Sequence, residues 1–116
     1  MNIIKIPKGK TGKFRTIYAP NAEERAAAES WIPVLNDQPV SQWAHGFVRG
    51  RSPVTNALEH RHWRYTLSFD LRDFFDSVTK HMLPALLSLS PGIESDCFWD
   101  GAARQGLPTS PAIANV

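Results

Sequence analysis

Two short stretches near the N-terminus, residues 3–6 and 14–18, are rich in apolar and β-branched positions and flank a Gly- and Lys-rich turn. This pattern predicts a β-hairpin. Apolar positions then recur at helical spacing through residues 22–35, and Asn21 immediately before them is a suitable helix cap. Pro33 is expected to bend this helix or end it early, because proline has no amide hydrogen to donate.

The rest of the chain predicts several helices around one further strand. The strand is the stretch RYTLSFDL at residues 64–71, in which apolar positions alternate and lead to Asp70. Residues 38–51 are rich in turn formers and arginine and predict an ordered surface loop, while Pro91 and Gly92 are expected to break a helix. The predicted helices cover residues 53–63, residues 82–89, residues 95–102 and a last segment that starts at Ser110. This mixture of elements predicts the α+β class.

Composition indicates one small globular domain. The chain has 116 residues, of which 42% are apolar and 21% are charged, and it contains no repeat or long linker. The lone Cys97 cannot form an internal disulfide, which favours a reducing compartment, and we expect the cytoplasm. The apolar runs are too short to span a bilayer and the N-terminus lacks the apolar core of a signal peptide, so no membrane partner is expected.

The charge is distributed unevenly along the chain. Residues 1–65 carry ten Lys or Arg against five acids, a balance of +5, whereas residues 66–116 carry three against six, a balance of −3. A basic half is typical of phosphate contacts, and an acidic cluster is typical of divalent cation sites. An ordinary solvated surface explains a split of this size equally well.

Two motifs in the sequence lack residues that their chemistry requires. The GKT sequence at residues 9–11 lacks the earlier glycine that a phosphate-binding loop requires, because Ile4 stands at that position. The four histidines have no thiolate pair or spaced His/Glu helix motif beside them, so they do not predict a zinc site. Cys97 has no candidate base or metal partner in the sequence, and we interpret it as a packing residue.

The strongest local feature is the stretch SFDLRDFFD, which places Asp70 at the end of the predicted strand with Asp73 and Asp76 just beyond. Carboxylates in such a cluster can bind Mg²⁺, and two-metal phosphoryl transfer needs a carboxylate that contacts both ions. The alternative for Asp73 and Asp76 is that they cap the helical turn that follows. For Asp70 the residue pattern alone leaves both interpretations open.

Four stretches in this order, FRTIYAPN, AHGFVRGRSPVTNALEHRH, LSFDLRDFFDSV and ARQGLPTSPAIANV, resemble the bacterial reverse transcriptases of the retron and group II intron type. They cover nearly the whole chain. The resemblance implies a right-hand polymerase fold in which residues 1–65 belong to the fingers and residues 66–116 form the first part of the palm.

The resemblance also implies roles for residues of the acidic stretch. Asp70 matches the first catalytic aspartate, which holds two Mg²⁺ ions, and Leu71 matches the residue that offers its backbone carbonyl to the nucleotide-bound metal. Phe75 matches the aromatic gate beneath the sugar, which excludes a 2′-hydroxyl and so selects deoxynucleotides. A plain core aromatic beside Phe74 is the alternative for Phe75.

Further matches concern the nucleotide and the template. Lys13 and Arg15 match the basic pair that grips the incoming triphosphate, and Gln105 and Gly106 match the Gln-Gly pair that lies against the nascent base pair. The family usually has proline before this glutamine, but Arg104 stands here. The residues that match the template-tracking loop and helix are Gly46, Phe47, Arg49, Arg51, Ser52 and Asn56. For Arg49 and Arg51, a solvated surface remains the alternative.

The family's second catalytic block, Tyr-x-Asp-Asp, has no counterpart in the 116 residues. One carboxylate leaves too little negative charge to hold two metal ions. We therefore expect the chain to be the N-terminal subunit of a split reverse transcriptase, an RNA-directed DNA polymerase that acts with a second polypeptide. The resemblance further implies a structured noncoding RNA or RNA template, a DNA product, and a role in phage defence or a mobile element.

Two alternatives stay open at this point. A polymerase-derived module of this kind can serve as a catalytically inactive RNA-binding or regulatory protein, in which the basic residues contact phosphates and Asp70 is incidental. The other alternative is that these residues are a fragment of a longer product.

Overall fold

The computed structural model describes all of residues 1–116 and contains one two-stranded sheet and seven short helices. Strand β1, Asn2–Pro7, pairs antiparallel with strand β2, Phe14–Ala19, with Ile4 opposite Ile17. The predicted hairpin and the α+β class are therefore confirmed. No residue of β1 is buried, whereas the second half of β2 is partly covered.

The helical region after β2 divides into two helices as expected. Helix α1, Ala22–Ser30, starts with a capping box in which Asn21 and Glu24 each accept a backbone amide of the other. Helix α2, Ile32–Asn36, follows after Trp31 with Pro33 in its first turn. The break falls before the proline because the first turn of a helix has no need of the missing amide hydrogen.

The last helix starts at Ser110 as predicted, whereas the other remaining helices are shorter than the sequence predicts or begin elsewhere. Their bounds are α3, Pro53–His60; α4, Phe74–Ser77; α5, Pro84–Leu89; α6, Gly92–Cys97; and α7, Ser110–Ala114. A single 3₁₀ turn, Lys80–Met82, precedes α5. The predicted break occurs at Ser90 and Pro91, whereas Gly92 is the first residue of α6. Helix α6 therefore starts before the predicted residue 95 and ends before the predicted residue 102.

The predicted strand at residues 64–71 is wrong. The segment forms no strand, and Tyr65, Leu67 and Phe69 along it are all exposed. A strand is stabilised by ladder hydrogen bonds to a neighbour, and the only other strands of the chain are paired with each other. The alternating pattern is present, but no second strand lies beside it.

The core lies among the last three helices and α2. It contains seven buried residues that contact one another, namely Leu35, Leu86, Ile93, Cys97, Phe98, Ala103 and Ile113. The indole of Trp31 donates to Asp96 at 2.8 Å, and its ring lies so close to Gly92 that a β-carbon there would approach it to 2.7 Å. Helices α1 and α2 are thereby packed against α6 and α7.

Candidate nucleotide and metal cleft

A cleft of about 290 Å³ opens between the hairpin and α4. Seven of the candidate residues from the sequence line it, namely Arg15, Asp70, Leu71, Asp73, Phe75, Asp76 and Gln105. An adjoining hollow shares Asp70 and Leu71 with this cleft and adds Lys13. Residues that lie up to 92 positions apart in the chain, from Lys13 to Gln105, are thus brought to one place.

The hairpin supplies the basic wall of the cleft. Arg15 lies opposite Ile6 in the strand register, and the carbonyl of Lys13 accepts the amide of Lys8 at 2.7 Å, which closes the turn. Both side chains are exposed, and neither forms an ion pair within the chain. Cations of the hairpin without an ion-pair partner therefore line the cleft and the adjoining hollow, and an anion is the ligand they favour.

The opposite wall carries Asp70 and Leu71, both exposed. The Asp70 carboxylate forms no ion pair, and no group of three His, Cys, Asp or Glu side chains in the chain is close enough to hold a metal ion. Carboxylate and carbonyl oxygens are the donors that Mg²⁺ prefers. The two residues fit one part of a magnesium shell, which needs further carboxylates to be complete.

Asp73 and Asp76 also line the cleft. Asp73 adopts a left-handed conformation (φ 49°) at the start of α4 and makes no capping bond with its side chain. Asp76 accepts a hydrogen bond from Arg104 at 2.9 Å. Phe75 stands between these two acids in the sequence. Its ring is half-buried and packs against Phe74 with a centroid separation of 5.4 Å. Helix α4 thus presents an aromatic face to the cleft.

The Gln-Gly loop is bound directly to the hairpin. The amide of Tyr18 in β2 donates to the carbonyl of Gln105 at 2.8 Å. Gly106 has φ 107°, and a β-carbon on it would lie 2.3 Å from the Tyr18 carbonyl oxygen. Only glycine fits this approach, since a side chain meets both an unfavourable backbone conformation and a backbone atom.

Relatives of known description match almost the whole chain. A retron Mx162 reverse transcriptase from Myxococcus xanthus is 45% identical over 138 aligned residues, which include 96% of this chain. A retron Ec86 reverse transcriptase from Escherichia coli is 31% identical over 94% of this chain, and a retron Mx65 reverse transcriptase from Myxococcus xanthus is 41% identical over 71%. The chain is a bacterial retron-type reverse transcriptase region.

This retron-type region spans 28%, 37% and 19% of the lengths of those three relatives. No protein-family model matches it. None of its helices combines the length and the apolar character that crossing a membrane requires.

Arg104 is the residue of the retron-type region that departs from the usual proline, and sequence reasoning missed its contacts. Its guanidinium donates to Asp76 at 2.9 Å and to the Trp99 carbonyl at 2.8 Å, and it lies 5.3 Å from the centre of the Tyr18 ring. An arginine in the acid-rich half of the chain is a sequence signal for an ion pair. The sequence does not reveal which of the acids lies near it in the fold.

The residues matched to template binding lie outside the cleft. Arg51 donates to the carbonyls of Ser41 and Ala44, so its guanidinium orders the surface loop. Ser52 caps α3, where its hydroxyl accepts the amide of Thr55.

Two further template matches, Arg49 and Asn56, make no such structural contacts. Arg49 and Asn56 are exposed, and neither side chain has a partner within the chain that holds it. Arg49 borders a second hollow of about 440 Å³, together with Leu35 and Phe47. Of the polar template matches, Arg51 and Ser52 therefore make structural contacts, and Arg49 and Asn56 remain accessible to a ligand.

Cys97 lies in the core, 0% exposed. Burial raises the pKa of its thiol to about 11. A thiol with this pKa stays protonated at neutral pH and is a poor nucleophile. The position agrees with a packing role.

Proposed function

We propose that this region forms the fingers, residues 1–65, and the first part of the palm, residues 66–116, of an RNA-directed DNA polymerase. The observation that carries the proposal is the single cleft that Arg15, Asp70 and Phe75 share. A deoxynucleoside triphosphate presents phosphates, a metal ion and a sugar, and the cleft offers one suitable group to each.

The basic wall would bind the triphosphate. The Arg15 guanidinium can donate to two phosphate oxygens at once, and the Lys13 ammonium adds a compact charge on a flexible stem. Neither cation is neutralised by a carboxylate of the chain, which leaves both available. The Phe75 ring would exclude a ribose 2′-hydroxyl, and Gln105 with Gly106 would lie against the new base pair.

The opposite wall would hold Mg²⁺ through the Asp70 carboxylate and the Leu71 carbonyl. Bound magnesium ions would activate the primer hydroxyl and neutralise charge on the phosphates. We propose that a second polypeptide with a Tyr-x-Asp-Asp block supplies the further carboxylates. The exposed apolar side chains of Leu67 and Phe69 beside Asp70 support such a partner, because adjacent exposed apolar side chains are typical of a surface that another polypeptide covers.

The template would lie along the basic surface outside the cleft. Arg49 and Asn56 are exposed and close in sequence to the helix cap at Ser52, so they are available to an RNA backbone. Arg51 would act indirectly by holding the loop that carries Arg49. The proposed ligands are an RNA template, which includes the structured RNA expected for such enzymes, and the DNA product.

Incorporation of labelled deoxynucleotides on an RNA template tests this function. The chain is purified alone and after co-expression with the polypeptide that carries the Tyr-x-Asp-Asp block. We expect DNA synthesis only in the second preparation, and we expect Asp70→Asn to lower it by roughly 10³-fold, since a metal-bound carboxylate contributes several kcal/mol to the transition state.

The matched control is Asp37→Asn, which removes the same charge from an exposed position at the end of α2. It should leave synthesis unchanged. Synthesis that survives Asp70→Asn contradicts the catalytic role. RNA binding without synthesis in the co-expressed preparation favours the inactive RNA-binding module instead.

A further inference from the structure

Arg104 contacts three separate elements around the cleft. Its Nη1 pairs with Asp76 in α4 at 2.9 Å, its Nε donates to the Trp99 carbonyl at 2.8 Å, and its guanidinium carbon lies 5.3 Å from the centre of the Tyr18 ring in β2. The next residue, Gln105, accepts the Tyr18 amide. One side chain therefore connects the hairpin, α4 and the Gln-Gly loop.

Helix α4 needs such a connection. It has only four residues, it has no side-chain cap at its N-terminus, and none of its residues is buried. A helix of this length is not stable by itself, so its orientation depends on contacts with the rest of the chain. The bond from Arg104 to Asp76 supplies one of them, adjacent in sequence to Phe75.

The ion pair between Arg104 and Asp76 is also partly shielded from solvent. The Arg104 side chain is 17% exposed and that of Asp76 is 43% exposed. A planar guanidinium can stack on a ring while it donates in its own plane, which an ammonium cannot do. The three contacts are therefore compatible with one another and specific to arginine.

We propose that Arg104 is a positioning residue that holds the Phe75 gate at a set distance from the hairpin and so determines nucleotide affinity and sugar selectivity. This inference rests on the proposed polymerase function. Arg104 does not line the cleft and acts through Asp76. Without the ion pair, α4 is free to tilt, and the space beneath the sugar varies.

Steady-state kinetics of the assembled polymerase test the proposal, with the variants Arg104→Ala, Arg104→Lys and Asp76→Asn. We expect Arg104→Ala to raise KM for deoxynucleotides roughly fivefold, as loss of a partly exposed pair predicts, with a smaller change in kcat. Selectivity for deoxynucleotides over ribonucleotides should fall. Asp76→Asn should reproduce both effects, the Lys variant should be intermediate, and Asp76→Asn combined with Arg104→Ala should add nothing further.

The matched control is Arg25→Ala, which removes an arginine from an exposed ion pair with Glu29 on α1. It should leave KM and selectivity unchanged. If Arg104→Ala fails to fold, Asp76→Asn, which keeps the side-chain shape, decides the question. Unchanged KM and selectivity in both Asp76→Asn and Arg104→Lys overturn the inference. If the unsubstituted assembly shows no synthesis that depends on Asp70, the proposed function itself is contradicted.

Discussion

Residues 64–71 and helix α6 are two short segments with opposite environments, although the first has more large apolar side chains. Leu67 and Phe69 in the first are 85% and 78% exposed, whereas Ile93 and Cys97 in α6 are 0% exposed. Helix α6 forms its backbone hydrogen bonds locally and packs against α1 and α5. Residues 64–71 need a neighbouring strand for their backbone groups, and none is present. Apolar character alone did not decide which stretch is buried.

The same contrast divides the candidate site. No residue from 36 through 85 is buried, and this range contains Asp70 and Phe75. The Gln-Gly loop belongs to the packed part, where Ala103 and Leu107 on either side of it are buried. The side of the cleft that contains Gln105 is thus held in place by the core. The position of Asp70 and Phe75 depends instead on what covers residues 64–71.

The largest stability effect should come from the packed stretch. Ile93→Ala removes a fully buried side chain from the core, and we expect it to lower the free energy of unfolding by about 2–5 kcal/mol. The measurement is chemical denaturation. The control in the open stretch is Leu67→Ala, which should change the free energy by less than about 0.5 kcal/mol.

The Leu67 variant also sharpens the comparison in the presence of the proposed partner. If a second polypeptide covers residues 64–71, Leu67→Ala should weaken their association although the chain alone is unaffected. A large loss of stability in the chain alone would show that residues 64–71 already pack, contrary to the structure.

An intermediate effect is expected where the loop meets the hairpin. Gly106→Ala should lower stability by about 1–3 kcal/mol from backbone strain, and more from the 2.3 Å approach to the Tyr18 carbonyl. Gly9→Ala is the control, because Gly9 also has positive φ but nothing within 4 Å. Thermal denaturation of the two variants separates the cost of backbone strain, which both share, from the cost of the collision with the Tyr18 carbonyl. Equal losses of stability in the two variants would contradict the close packing of the loop on β2.

The smallest effect near neutral pH concerns Cys97. Burial raises its pKa from 9.0 to about 11, so the unfolded chain releases the thiol proton first. Its contribution to stability is therefore fully present below about pH 9 and is lost as the pH rises through 11. Denaturation between pH 8 and 11 should show a steeper decline for the native chain than for Cys97→Ala. Parallel curves would mean that the thiol titrates normally and is not buried.

Local patterns predicted a large part of the fold because they depend on neighbours in sequence. The hairpin follows from two β-forming stretches around a turn, and α1 follows from Asn21 with Glu24 three residues later. The predicted strand failed for the opposite reason, since a strand needs a partner that lies elsewhere. The residues of the cleft were named from motif order, but their meeting in one cleft depends on how β2 docks on residues 104–106.

The sequence by itself determined the helix caps, the turn, the split of charge and the match to retron-type reverse transcriptases, because each is written in residue type and spacing. The tertiary structure decided the features that depend on contacts between distant residues. It bound the Gln105 carbonyl to Tyr18, left the Asp70 segment without a ladder partner, and placed Arg104 between Asp76 and the hairpin. These contacts join residues far apart in the chain, and only the folded geometry brings their atoms within reach.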